Sequence, residues 1–371
     1  MQSIDTLTDF LAVAGANHQA KTEYRIYDLS RIVNPFSAEE FRAIENGERP
    51  FPYPRQQHAW LGIVLRQKER AESNQIHDPY IWFVKLPLDE RGLFQHAARQ
   101  HFLSIIVEAL GENPTAAPTA EQEKRQQQNP YIFTPDEPRR AAFHAQVSHD
   151  LQFPASLHYP DALAFLRGET ATSTWQDLGV QGIHDVVVRN LQEPSIQQHI
   201  HTQLLQWPKP LQQTLMEALE HAKLPATLAQ NLTGTLRTAP REQQIILLRC
   251  LAGASQHTNL QNVVLQLLNA CERDLNTTGG DTPEAAVVND IQDLLLTIGA
   301  RNWVALTAND NLEHYLGLLA TINEHVFIQI FRDLVMLPEL RGLMLQLFRK
   351  EQLSPALQRG IAALVAQTRS S

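Results

Sequence analysis

The sequence predicts an α+β domain with a small, mainly antiparallel sheet, followed by an all-α domain of helical repeats. Segments rich in aromatic and β-branched residues occur before residue 155, whereas every later segment shows helical periodicity. In addition, Pro210, Pro225 and Pro240 lie fifteen residues apart. Proline is tolerated in the first turn of a helix but not in its interior, so this spacing predicts short helices that each begin at a proline.

The first domain is expected over residues 1–154. An amphipathic helix is predicted over residues 4–14. Three strands follow, over residues 22–29, 58–66 and 79–88. The connection between the last two strands is too short for a crossover helix, so we expect an antiparallel hairpin. Between the first two strands, Ser37 and Glu40 match a capping box, which predicts a helix that Gly47 ends.

The remainder of this domain is predicted to be mostly helix and loop. Apolar residues recur at helical spacing over residues 89–111, which predicts a long helix on one face of the sheet. Residues 112–130 are rich in Pro, Ala, Glu and Gln and contain no large apolar residue, so we expect a mobile surface loop. Residues 131–133 are a candidate edge strand, and a further helix begins near Glu137.

The second domain is expected over residues 155–371. Its apolar stripes belong to helices of about three turns with short connections, which force successive helices to pack antiparallel. Stacked pairs of this kind form an α-solenoid of the HEAT or armadillo type. A compact helical bundle would show the same stripes, because periodicity reports only that one face of each helix is buried. We favour the solenoid because the punctuation by proline is regular.

Composition excludes several classes of protein. The chain has 371 residues, of which 43% are hydrophobic and 19% charged, as in ordinary folded proteins. Its net charge of −9 is spread over both halves, so neither half offers the basic face that extended nucleic-acid binding requires. No run reaches the roughly 18–20 apolar residues of a membrane span. The start of the chain carries Asp5 and Asp9 where an export signal would be basic, and a cytoplasmic protein is therefore expected.

No motif in the chain indicates a reaction. The two cysteines, Cys250 and Cys271, lie on apolar helix faces without the CxxC spacing of redox or zinc sites, and we expect buried, reduced thiols. Fifteen histidines raise the question of a metal site. The closest pairs are His96 and His101, His144 and His149, and His199 and His201. Separations of five or two residues place the two rings on different sides of a helix, so we predict no metal, no cofactor and no catalytic residue.

Two segments are candidate binding surfaces for another protein. Residues 47–60 alternate prolines with Phe51 and Tyr53 and then add Arg55, which gives a stiff segment that loses little entropy on binding. Residues 324–348 carry more apolar residues than one buried face requires, with Phe327 and Phe331 among them. The surplus suits a partner protein or a second copy of the chain. For both segments, packing within the protein itself is the favoured alternative.

Four stretches carry a resemblance to a known family. They read "TLTDFLAVAG", "TEYRIYDLSRIV", "FPYP" and "PYIWFVKLPLDERGLF". With them, most of the chain resembles an uncharacterised gammaproteobacterial family that is defined only as a domain of unknown function. The resemblance implies a bacterial cytoplasmic protein and supplies no activity and no catalytic residue.

These observations favour a non-enzymatic protein that binds or scaffolds other proteins. One alternative is a hydrolase with an active site between the two domains, for which the residues to inspect are His58, His96, His101, His144 and His149. Another alternative is a helical-repeat protein that binds nucleic acid despite the acidic balance of the chain. The sequence leaves the partner and the oligomeric state open.

Overall fold

The structure is a computed structural model that describes residues 6–16, 21–68, 79–110, 129–254, 258–276, 284–308, 310–350 and 352–370. It consists of two compact units, Met1–Asp136 and Glu137–Ser371. The predicted loop at 112–130 lies outside the described residues except for its last two positions. Among the described residues, no helix has the length and apolar character needed to cross a membrane.

The first unit contains a four-stranded antiparallel sheet in the order β2-β1-β3-β4. Its strands are β1 (Lys21–Asp28), β2 (Asn34–Phe36), β3 (His58–Lys68) and β4 (Tyr80–Pro87). Its helices are α1 (Leu7–Ala16), α2 (Ala38–Glu45) and α3 (His96–Leu110). The predicted antiparallel hairpin is confirmed, since Leu61 on β3 lies opposite Val84 on β4. Both side chains are buried in the core.

Local signals in the sequence explain how α2 begins and where it stops. The Ser37 hydroxyl accepts the Glu40 N–H at 3.1 Å, and the Glu40 carboxylate accepts the Ser37 N–H at 2.9 Å, which confirms the capping box. Gly47 follows the helix with φ of +73°, a left-handed conformation that glycine adopts without strain. The local sequence pattern therefore determines where this helix begins and ends.

Two predictions for the first unit were wrong in detail. The helix predicted from residue 89 begins at His96, because the Asp89 carboxylate accepts the N–H groups of Arg91 at 2.9 Å and Leu93 at 2.8 Å and so closes a turn. The candidate edge strand at 131–133 is a single bridge between Ile132 and Val84. Strand β2 was missed because it is three residues long.

A buried carboxylate joins α2 to the beginning of α1. Glu45 is 4% exposed, and its side chain accepts the N–H groups of Leu7 at 2.7 Å and Thr8 at 2.9 Å as well as the Thr8 hydroxyl. Burial raises the pKa of Glu45, and these hydrogen bonds oppose the rise. The N–H groups at the start of a helix have no partner within the helix, so the carboxylate satisfies donors that would otherwise be orphaned.

The second unit is helical throughout the part that the structure describes. Its α-helices are α4 (Glu137–Asp150), α5 (Tyr159–Leu166), α6 (Val180–Asn190), α7 (Pro194–Gln203), α8 (Lys209–Leu219), α9 (Ala226–Leu236), α10 (Arg241–Cys250), α11 (Thr258–Asn276), α12 (Ala285–Arg301), α13 (Asn311–Ile322), α14 (Glu324–Leu334), α15 (Pro338–Leu347) and α16 (Pro355–Ser370). Helix α4 packs against α6 and α8. The boundary between the units is therefore at residue 136 and not at the predicted residue 154, because α4 buries its apolar face in the helical unit.

The helices from α4 to α13 form two layers. In one layer α4, α6, α8, α10 and α12 contact each other in that order, and in the other α5, α7, α9, α11 and α13 do so. When antiparallel helix pairs stack, each helix contacts the second helix after it in the sequence, and this is the pattern seen here. Pro210 lies in the first turn of α8, while Pro225 and Pro240 immediately precede α9 and α10. The prediction that these prolines mark helix starts is confirmed.

Candidate functional site

The helical unit contains two neighbouring hollows at the surface. The first has a volume of about 540 Å³ and lies between α11, α13 and the start of α16. The second has a volume of about 470 Å³ and lies between α13, the end of α15 and the short 3-10 helix Trp303–Thr307. Asp310, Glu313 and Lys350 line both hollows. We call the two hollows together the acidic groove.

The rim of the acidic groove is ionic. Glu313 pairs with Lys350, and His314 Nε2 lies 3.2 Å from the Glu272 carboxylate. Asp310 is exposed and makes no ion pair with any other described residue. The hydrogen bond to Glu313, followed by the charges of Glu313 and Asp310, raises the pKa of Lys350. Arg349 also lines the second hollow, so the excess of carboxylates over basic side chains lies in the first hollow.

Apolar side chains also line the acidic groove. Leu275, Leu318 and Pro355 line the first hollow, and Leu343 and Leu347 line the second. The groove therefore combines apolar walls with a charged rim, which is the usual composition of a ligand site.

Two backbone features shape this groove. Asp310 precedes α13 with φ of 57°, a left-handed conformation that aspartate adopts more readily than most residues. Its carboxylate makes no capping hydrogen bond to α13, so its charge faces solvent at the rim. Gly317 lies on α13, where an added Cβ would meet the Ser354 hydroxyl at 3.5 Å, an ordinary contact distance. The missing side chain at Gly317 therefore leaves space in the first hollow.

Exposed apolar side chains lie on the helix that borders the second hollow. Leu345 on α15 is 51% exposed, and Phe348, which ends that helix, is 44% exposed. The Phe348 ring packs edge-on against Phe331 with 5.7 Å between ring centroids. Leu345 is two residues from both Leu343 and Leu347, which line the second hollow, so Leu345 lies on another face of α15 and is not part of the groove.

Three of the five predicted contact residues lie in the core. Phe51 is fully buried, with ring centroids 5.8 Å from Phe36 and 6.3 Å from Phe94. Phe327 and Phe331 are also buried. We therefore correct the expectation for these three rings, because a side chain without exposed surface cannot contact a partner.

The other two predicted contact residues, Tyr53 and Arg55, keep exposed surface, and their role stays a prediction. The Arg55 guanidinium lies 5.1 Å from the Trp60 ring centroid, and the indole N–H of Trp60 donates to the Arg55 carbonyl at 3.1 Å. Phe51 and Arg55 of the segment 47–60 thus pack on their own unit, which is the alternative that the sequence analysis favoured.

The sequence did not reveal the groove residues. Asp310 and Glu313 are neighbours at the start of α13, but Glu272 and Lys350 come from other segments, so no spacing in the sequence brings all four together. The apolar surplus at residues 324–348 was a usable signal, since Leu343 and Leu347 belong to that stretch and line the second hollow. Periodicity did not distinguish its exposed rings from its buried ones.

The histidines of the predicted pairs are not among the residues that line the acidic groove. In the first unit, His101 Nδ1 lies 3.1 Å from the Tyr131 hydroxyl, and His58 Nδ1 lies 2.7 Å from the Gln56 carbonyl. In the second unit, the His199 ring packs against Trp207 at 5.5 Å. His96 is on α3, His144 and His149 are on α4, and His201 is on α7. Within the described ranges, no three His, Cys, Asp or Glu side chains converge as metal ligands would.

A second group of ionisable residues is buried between helices of the second unit. The Glu220 carboxylate follows α8, is almost fully buried and pairs with Arg249 on α10 and, at 3.0 Å, with Arg301 on α12. His184 on α6 is 1% exposed, and its Nε2 meets no hydrogen-bond partner among the described residues. Burial lowers the pKa of His184 to about 4. This group ties α8, α10 and α12 together and has a structural role.

Both cysteines are buried and free. Burial raises the pKa of Cys250 and of Cys271, so neither is activated as a nucleophile.

Comparison with known proteins identifies the family. A family model described as "Protein of unknown function (DUF3549)" matches residues 2–365, and the chain belongs to this family. No curated protein matches the chain significantly, and no solved structure does so.

Proposed function

We propose that this member of the DUF3549 family is a non-enzymatic protein of the bacterial cytoplasm that binds another protein, and that the acidic groove holds a segment of the partner. The observation that carries the proposal is the pair of hollows with apolar walls that share one charged rim. Hollows of roughly 300–1,000 Å³ are typical of binding sites. The helical layers hold the walls in place, so the groove is preformed.

An elongated ligand fits this arrangement better than a compact one. The hollows lie on either side of Asp310, Glu313 and Lys350, so a ligand that fills both must pass these side chains. A protein segment has the required length and can place apolar side chains on both sides of a polar one.

Nucleic acid suits the acidic groove poorly. Three carboxylates line it, those of Glu272, Asp310 and Glu313, against the two basic side chains of Lys350 and Arg349, so phosphates would meet a lining with a net negative charge. Hydrolysis by residues of both units stays an alternative prediction, and no observation on the groove favours it.

The proposal can be tested by site-specific photocrosslinking in bacterial cells. A photoreactive amino acid is placed at Thr321, which lines the first hollow, or at Gln346, which lines the second. The control position is Gly234 on α9, where an added Cβ meets nothing within 4 Å. We expect the same discrete protein adduct from Thr321 and Gln346 and none from Gly234. Absence of an adduct at both groove positions, or identical adducts at all three, would overturn the proposal.

A matched pair of variants sharpens this test. Gly317→Leu should fill the first hollow and abolish the adduct formed from Gln346. Gly234→Leu adds the same side chain to open surface and should leave the adduct unchanged. Both variants replace a helical glycine, so any general effect on helix stability is shared.

A further inference from the structure

We infer that the partner segment carries an arginine or lysine flanked by large apolar residues, and that this cation displaces Lys350 from Glu313. The inference rests on the proposed function, since it names the chemistry of the ligand for the same groove. It follows from the charge of the rim, the placement of Lys350 and the apolar walls on either side.

Charge complementarity selects a cationic ligand. The first hollow is lined by the carboxylates of Glu272, Asp310 and Glu313 and by one ammonium group, that of Lys350. Three carboxylates outnumber the lysine and the histidine of this lining together, so the lining has an excess of negative charge whatever the charge of His314. Asp310 makes no ion pair among the described residues, and an additional cation would satisfy it.

Lys350 already occupies the position that such a cation would take. Its side chain is 47% exposed and reaches Glu313 from the segment between α15 and α16. An ion pair this exposed contributes little to stability, so releasing Lys350 to solvent costs little. A guanidinium can bind two carboxylate groups through its fork of N–H donors, which a single ammonium does less well. An incoming arginine therefore gains Asp310 and Glu313 together.

The apolar walls define the neighbours of this cation. Leu275 and Leu318 lie on one side of the Lys350–Glu313 pair, and Leu343 and Leu347 lie on the other. A segment that places a basic residue between large apolar residues matches this order. The same segment with glutamine in place of arginine would keep the apolar contacts and lose the ionic ones.

The experiment uses three fluorescent peptides and the full chain. Each peptide has two leucines on each side of a central arginine, glutamine or glutamate, with serines at the ends for solubility, and binding is measured by fluorescence anisotropy. Because exposed ion pairs change affinity by about two- to fivefold each, we expect the arginine peptide to bind several-fold more tightly than the glutamine peptide. The glutamate peptide should bind most weakly. Added salt should reduce the difference between the three.

Variants test the displacement directly. Lys350→Met removes the internal competitor and should tighten binding of the arginine peptide about two- to fivefold. Asp310→Asn combined with Glu313→Gln should bring arginine and glutamine peptides to equal affinity. Lys209→Met breaks a more exposed ion pair, with Glu242, that does not line the groove, and it should change nothing.

The outcomes separate this inference from the proposed function. Equal affinity of the arginine and glutamine peptides, weaker binding to Lys350→Met, or no binding of the arginine peptide at millimolar concentration would overturn the inference. If groove crosslinks to a partner persist in that case, only the ligand chemistry is wrong. If the groove crosslinks are also absent, the proposed function fails as well. Circular dichroism of each variant establishes that it is folded.

Discussion

The two units bury ionisable groups in different ways. In the sheet unit, Glu45 takes hydrogen bonds from the first N–H groups of α1. In the helical unit, Glu220 takes its partners from Arg249 and Arg301. The difference shows that the surrounding secondary structure decides which partners a buried carboxylate can find. A helix start offers unused backbone donors, whereas backbone groups inside stacked helices are already paired, so a carboxylate there depends on other side chains.

The buried Glu45 of the sheet unit and the buried histidines of the helical unit respond to acid in opposite directions. Burial raises the pKa of Glu45, so its contribution to stability is present below pH 4.5 and is lost as the pH rises through its pKa in the fold. In the helical unit, burial lowers the pKa of His144, His184, His199 and His221. The contribution of these histidines is present above pH 6.5 and is lost as the pH falls.

The largest expected effect comes from removing the buried carboxylate of the helical unit. Glu220→Ala leaves Arg249 and Arg301 facing each other without a counterion, and we expect the free energy of unfolding to fall by about 3 to 4 kcal/mol. Chemical denaturation followed by circular dichroism measures this. Glu242→Ala removes an exposed partner of Lys209 and should leave the midpoint unchanged. A loss as small as that of the control would mean that Glu220 does not connect the helices.

The next effect is the acid sensitivity of the helical unit. The pKa of His184 is about 4 in the fold, so protonation favours unfolding as the pH falls from 6.5 towards 4. We expect a loss of about 2 to 3 kcal/mol from this residue, since one pKa unit corresponds to about 1.4 kcal/mol. Hydrogen exchange of α6, corrected for the intrinsic pH dependence, should show this loss in the wild type and a smaller one in His184→Gln. Parallel curves for the two proteins would contradict the assignment.

The smallest effect concerns Glu45 in the sheet unit. Glu45→Gln places an amide nitrogen against the N–H of Leu7 or Thr8, and we expect a loss of about 1 to 2 kcal/mol at neutral pH. The variant should also lose the gain in protection that α1 shows in the wild type as the pH falls from 7 to 5. Hydrogen exchange in the same experiment reads both units at once. If α1 and α6 of the wild type respond to acid in the same direction, the contrast between the units is wrong.

Much of the fold could be predicted because its signals are local. The capping box at Ser37 and Glu40 needs four consecutive residues, and each proline at a helix start acts on its own turn. The assignment of α4 to a unit was not predictable in this way, since it depends on which helices its apolar face meets. The start of α3 was misplaced because the Asp89 side chain closes a turn that the helical spacing of apolar residues does not report.

The candidate site was much less predictable than the fold. Large rings in an apolar segment signal burial as much as contact, and Phe51, Phe327 and Phe331 proved to be core residues. The groove depends on the stacking of α11 beside α13 and on the path of the chain from α15 to α16, and both are tertiary properties. Charged residues such as Glu313 and Lys350 are common on helix surfaces, so sequence alone gives no reason to single them out.

The left-handed backbone at Asp310 limits what evolution can place there. Glycine and asparagine fit this conformation with least strain, whereas bulky or β-branched residues would disturb the start of α13. Family members are therefore expected to carry aspartate, asparagine or glycine at this position. Those with asparagine or glycine would keep the shape of the groove but have a less negative rim. Natural variation at this residue therefore separates the effect of the shape of the groove on ligand binding from the effect of its charge.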